Sequence, residues 1–98
     1  MASKSFTTTD LVAPGQVLLE EFLRPMGISQ YRLAIAIGVP EIRINAIVKG
    51  RRAITADTDL GLCRFFGLSE GFWLRMLSSH GLRVAHRQLG DALAQIQS

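Results

Sequence analysis

The sequence predicts an all-α fold of five to six helices. Apolar residues recur three or four positions apart along most of the chain. Nothing alternates with period two over a useful length, so no sheet is expected. Glycine or proline stands wherever one amphipathic run gives way to the next. The 98 residues suffice for one domain, and 48% apolar content is enough to fill a core without metals or disulfides.

The first helix is expected over residues 15–24. Pro14 stands at its start, where a missing N–H costs nothing. Val17, Leu18, Phe22 and Leu23 form its apolar stripe, Glu20 and Glu21 fall on the other side, and Pro25 with Gly27 should end it. A second helix is expected over 29–37, with Ser29 as N-cap, an inward face of Leu33, Ala34 and Ile37, and Gly38 to close it. A third runs over 40–48. Ile44, Ile47 and Val48 point one way, and Glu41, Ile42, Asn45 and Lys49 roughly the other. A fourth spans 55–66, capped by Thr55, with Asp57 and Asp59 at its positive end and Leu60, Cys63 and Phe66 as core stripe. A fifth starts at Ser69 and runs to 79, with Phe72, Trp73, Met76 and Leu77 apolar. A sixth spans 84–96 through Leu89, Leu93 and Ile96.

Composition excludes several classes. No segment approaches the roughly 20 apolar residues of a membrane span, so no membrane partner is expected. Cys63 is the single cysteine, which forbids an intrachain disulfide and suits a reducing cytoplasm. It reads as a small buried hydrophobe without a base partner. His80 and His86 lie six apart with no cysteine or carboxylate at ligand spacing, so no metal and no other cofactor is expected. No phosphate loop, dinucleotide fingerprint or catalytic triad signature is present, and the chain reads as a non-enzyme. Residues 1–10 are polar, and read as a loose tail rather than a signal peptide.

The formal net charge of +3 is modest, but its distribution is not even. Between residues 42 and 56 the charged side chains are Arg43, Lys49, Arg51 and Arg52, with no acid among them. This basic stretch coincides with residues 29–50, in which two short helices flank the tight turn Gly38-Val39-Pro40. That is the helix-turn-helix plan. Small Ala34 lets the helices approach, Val39 fills the space beneath the turn, and Ile44 and Ile47 anchor the third helix from below. Its upper face is left to enter a groove.

The segment SQYRLAIAIGVPEIRINAIVKG, residues 29–50, resembles the helix-turn-helix of the lambda-repressor/Cro (XRE-like) class. PGQVLLEEFLRPMGIS, GRRAITADT, FFGLSEGFWL and LGDALAQI extend a resemblance to HigA-type antitoxins of bacterial toxin–antitoxin modules over residues 12–97. It implies a lambda repressor-like domain over residues 11–80 and a C-terminal helix over 81–98 for packing or dimerisation.

It also implies roles. Gln30 would touch a phosphate and brace the recognition helix. Glu41 and Ile42 would stand at the base edges, and Asn45 and Ala46 would meet bases or thymine methyls. Lys49, Arg51 and Arg52 would meet phosphate. Glu41 is acidic, able to accept from cytosine N4 yet repelled by phosphate, and Ile42 offers only apolar contact. Arg43 and Asn45 are therefore expected as the main hydrogen-bonding readers, with guanine as the partner for Arg43. Tyr31 is either a packing residue or a phosphate contact through its hydroxyl. Arg51 and Arg52 are either a solvated turn or phosphate contacts.

One helix in one groove reads few base pairs, so a homodimer on a two-fold operator is expected. Trp73, Leu77, Leu89, Leu93 and Ile96 are its candidate contacts, the alternative being packing against the first helix. The resemblance adds a second partner, a HigB-like ribonuclease toxin of RelE type. Two readings follow: a repressor of its own promoter, or an interaction module that masks a toxin. Some proteins of this resemblance are stand-alone regulators.

Overall fold

The computed structural model describes residues 12–97. The expected tail, residues 1–10, lies outside them. The described residues are all helical or connecting, with no strand. The order is α1 (Pro14–Val17), a π-helical turn (Leu18–Leu23), α2 (Arg24–Met26), α3 (Gln30–Ile37), α4 (Glu41–Val48), α5 (Ala56–Phe66) and α6 (Phe72–Gln95). The all-α expectation is met.

The first helix does not stop at Pro25. It runs from Pro14 through the π turn to Met26, and Gly27 closes it. In a regular helix the proline ring strikes the carbonyl four residues back. Here the turn before it is widened. Arg24 N–H donates to the carbonyl of Leu19, five residues back, and proline is carried inside the helix.

α3 begins as expected. Ser29 Oγ accepts from the Arg32 N–H at 3.0 Å. Gly38 ends the helix at φ +75, a conformation that costs a side-chain-bearing residue energy, and its N–H donates to the Ala34 carbonyl at 2.9 Å. Val39 N–H shares that carbonyl at 3.0 Å. The chain thereby reverses within three residues and delivers Pro40 as N-cap of α4.

The core comprises Val17, Leu18, Leu23, Leu33, Ala34, Ile44, Ile47, Ile54, Leu62, Cys63 and Trp73. Phe22, Phe66, Phe72 and Trp73 form an aromatic cluster at one end, with Phe22–Phe66 centroids at 4.9 Å and Phe22–Trp73 at 5.0 Å. Trp73 is 0% exposed. It therefore cannot serve as a dimer contact, contrary to expectation. It sits in the first turn of α6, where the helix leaves the core.

Three further expectations are corrected. Leu60 is 48% exposed, while Thr58, Asp59, Leu62 and Cys63 face inward. A polar residue took the inward place because it has partners on α6. Thr55 occupies the N-cap position of α5, but its hydroxyl donates to the Asp57 carboxylate, not to the helix backbone's needs. The fifth and sixth helices are one, because Gly81 costs no more than about 1 kcal/mol and breaks no hydrogen bond. The departure comes later, at Gly90, whose φ of 34 and ψ of −107 kink the merged helix.

Two glycines permit close helix approach. A Cβ on Gly15 would stand 1.9 Å from the Ile47 carbonyl oxygen, so α1 lies directly on the end of α4. A Cβ on Gly61 would lie 3.2 Å from Ile37 Cβ, which explains a glycine in mid-helix where α5 crosses α3.

Candidate nucleic-acid interface

Successive residues of α4 are rotated by about 100°. Ile44 and Ile47 are buried, which sets the opposite face outward. Ile42 is 79% exposed, Lys49 is exposed, and half-buried Ala46 lies between them. These three form the crest of the helix. Glu41 is exposed on one flank.

Asn45 lies on the flank toward α3. Its amide N–H donates to the Gln30 side-chain carbonyl at 3.1 Å. Gln30 is the first residue of α3, so this bond ties the start of one helix to the middle of the other. It uses one of the two amide hydrogens of Asn45.

Arg43 stands on the other flank. Its guanidinium lies 3.7 Å from the Asp57 carboxylate at the start of α5, and the side chain is half-buried. Its Nε is buried without a hydrogen-bond partner among the described residues. Arg43 therefore stands beside the crest rather than on it, with its side chain turned toward Asp57. A step of about 100° from Ile42 carries it toward α5. Asp57 keeps its charge. The Thr55 hydroxyl first, then a backbone hydrogen bond at Thr58, hold its carboxyl below the ordinary 3.8 against the opposing effect of burial, and the Arg43 charge adds a lesser lowering.

Tyr31 and Arg32 are exposed in the first turn of α3. Arg51 and Arg52 are exposed just after α4. The turn that carries them is not loose, for the Arg51 N–H donates to the Ala46 carbonyl at 2.8 Å and the Gly50 N–H to that of Ile47 at 3.0 Å. Tyr31, Arg32, Glu41, Ile42, Lys49, Arg51 and Arg52 are thus all exposed on or next to the helix pair. Their sum is positive, with Glu41 the single acid among them.

The candidate dimer residues separate into two groups. Leu77 is half-buried, while Leu89 and Leu93 are exposed along the far half of α6 and Ile96 is exposed just past its end. Leu82 is also exposed, at a seven-residue step before Leu89. Asp59 was also missed as a structural acid. Its signal was its place in the 59, 62, 63, 66 stripe. Among the described residues no three metal-ligating side chains cluster, and no helix is long and apolar enough to cross a membrane.

A braced helix pair, a tight glycine turn and an outward second helix beside a basic turn define a helix-turn-helix protein. Comparison with models of known protein families gives no match. The chain is 46% identical over 76 residues to virulence-associated protein I of Dichelobacter nodosus, covering 78% of this chain and 70% of that protein. Its fold matches that of the Pseudomonas aeruginosa antitoxin HigA, solved with the higBA promoter, at a TM-score of 0.82 and 33% identity over 90% of this chain and 96% of the other. The antitoxin GraA, solved in complex with its operator, matches at 0.81 and 35% identity over 89% of each chain. The chain belongs to the HigA family of antitoxins.

Proposed function

We propose that this protein is a dimeric, sequence-specific DNA-binding repressor, the antitoxin of a HigBA-type module that controls its own operon. The exposure of Ile42 carries the reading. An isoleucine held in solvent on a helix pinned by its buried neighbour Ile44 suits an apolar partner such as a thymine methyl in the major groove.

In this reading α4 enters the groove. Ile42 and Ala46 meet base edges, Asn45 pairs with adenine through its remaining amide donor and its carbonyl, and Glu41 accepts from cytosine. Lys49, Arg51 and Arg52 neutralise phosphates beyond the helix, while Gln30 and Tyr31 contact phosphate at its near end. Arg43 orders the flank through Asp57. Residues 11–80 serve DNA and residues 81–98 serve self-association, through Leu77, Leu89, Leu93 and Ile96. Two-fold pairing would place two recognition helices about 34–36 Å apart on successive major grooves. The Pseudomonas aeruginosa and GraA antitoxins were solved on their promoter or operator, which supports the same mode here. The toxin partner is a RelE-like ribonuclease. The protein works in the cytoplasm and has no catalytic role.

A gel shift on the chain's own upstream DNA tests it. Affinity at least about a thousandfold above that for scrambled DNA of equal length is expected. Lys49→Ala and Arg51→Ala should each weaken binding to all sequences and reduce the salt slope by about one unit. Equal affinity for both DNAs would overturn the repressor reading. Co-expression with the adjacent small basic protein should relieve that protein's toxicity, and failure to do so leaves a stand-alone regulator.

A further inference from the structure

Asp59 is 1% exposed, on the inward side of α5. A buried carboxylate must be met by donors or charge. The donors here belong to the next helix. Asp59 Oδ2 accepts from the Gly71 N–H at 2.7 Å, and Oδ1 accepts from Trp73 N–H at 2.8 Å and Leu74 N–H at 3.2 Å. The Cys63 thiol lies 3.7 Å from Oδ1.

This bonding completes the start of α6. Its N-cap is Gly71, which has no side chain, and its first turn holds no acid. Phe72 N–H goes to the Ser69 carbonyl at 3.1 Å, and Arg75 N–H to that of Gly71 at 2.8 Å. The remaining N–H groups go to Asp59. A helix normally finds its cap in its own chain just before it starts. Here the cap reaches across from α5, so it satisfies the donors of α6 and also aims the helix. The negative charge further suits the positive end of the helix dipole.

The aim matters because α6 is long. Leu89 lies sixteen residues beyond Trp73, about 24 Å along the helix. A tilt of about 10° at the cap would move that point by about 4 Å, more than one base-pair rise of about 3.4 Å. We infer that Asp59 is a positioning residue that sets the direction of α6 relative to the recognition helix, and so the half-site spacing the dimer accepts. The inference rests on the dimeric DNA-binding reading.

Asp59→Asn tests it, since the amide keeps the shape but presents N–H where a donor must be met. The full chain is titrated with a single half-site, and with paired half-sites at the native spacing and at spacings one and two base pairs shorter or longer. Sedimentation gives the oligomeric state. The wild type should prefer one spacing by about tenfold or more. Asp59→Asn should remain a dimer, bind the single half-site within about twofold of wild type, and hold its spacing preference to about threefold or less. Retained preference, or parallel loss on the single half-site, overturns the inference. Should Asp59→Asn not fold, Asp59→Glu keeps the charge on a longer arm. Its optimum should move by at least one base pair, and an unmoved optimum in the folded variant overturns the inference. A wild type that binds one half-site as tightly as two defeats the dimeric reading itself, an outcome separate from failure of the Asp59 variants.

Discussion

Gly15 lies against Ile47 so closely that a Cβ on the glycine would stand 1.9 Å from the isoleucine carbonyl oxygen. The obstacle is backbone at the end of α4 and cannot swing aside. In an open helix Gly→Ala is stabilising by about 0.5–1 kcal/mol. Here Gly15→Ala is expected to destabilise by about 1–3 kcal/mol or more. Thermal unfolding should show a midpoint lowered by about 4–8 °C for each kcal/mol. A raised midpoint would mean that the two helices are not in contact.

Ile42 and Ile44 are two residues apart and should behave as opposites. Ile44→Ala empties a fully buried site and should cost about 2–5 kcal/mol of stability in urea unfolding. Ile42→Ala should leave stability within about 0.5 kcal/mol, yet weaken operator binding by about 1–3 kcal/mol. Unchanged operator affinity for Ile42→Ala would remove the crest of α4 from the interface.

The hydrogen bond between Asn45 and Gln30 predicts coupling in DNA binding. Asn45→Ala should weaken operator binding by about 1–3 kcal/mol. Because Gln30 holds that side chain, the double substitution with Gln30→Ala should lose less than the sum of the singles, by about 0.5 kcal/mol or more. Anisotropy titrations at one salt concentration give the cycle. Strict additivity would show that the two side chains act separately on DNA.

Asp57 predicts an acid-side dependence of stability. Its carboxyl is held below 3.8 in the fold, by Thr55 before all else. A group with a depressed folded-state pKa contributes stability that is present above its unfolded value and lost as pH falls through the folded one. The difference in urea midpoint between wild type and Asp57→Asn should therefore be steady near neutral pH and shrink as pH drops through 3.8 and below. Thr55→Val should raise the Asp57 carboxyl pKa measured by NMR titration. A midpoint difference independent of pH would remove Asp57 from the acid response.

Helix existence was legible along most of the chain, as were the turn at Gly38 and the inward places of Leu33, Ala34, Ile44 and Ile47. Each depends on spacing or punctuation within a few residues. The outward places of Ile42 and Lys49 follow from the same spacing. The Gln30–Asn45 bond gives physical form to the brace that the family resemblance implied. Among the misread positions are Pro25, Leu60, Ser69 and Trp73, and at each the neighbour that matters is either distant in the chain or an unusual backbone turn.

The amphipathic period of 3.6 and the caps of α3 are properties of neighbouring residues, so reading the chain alone was enough to reach an all-helical protein with a recognition helix after Pro40. Where Trp73 and Arg43 point, and how α6 begins, was settled by groups far off in the chain: the Phe22 cluster, Asp57 and Asp59. Burial and hydrogen-bond satisfaction are conditions on the whole packed molecule, and no local pattern states which distant partner will meet them.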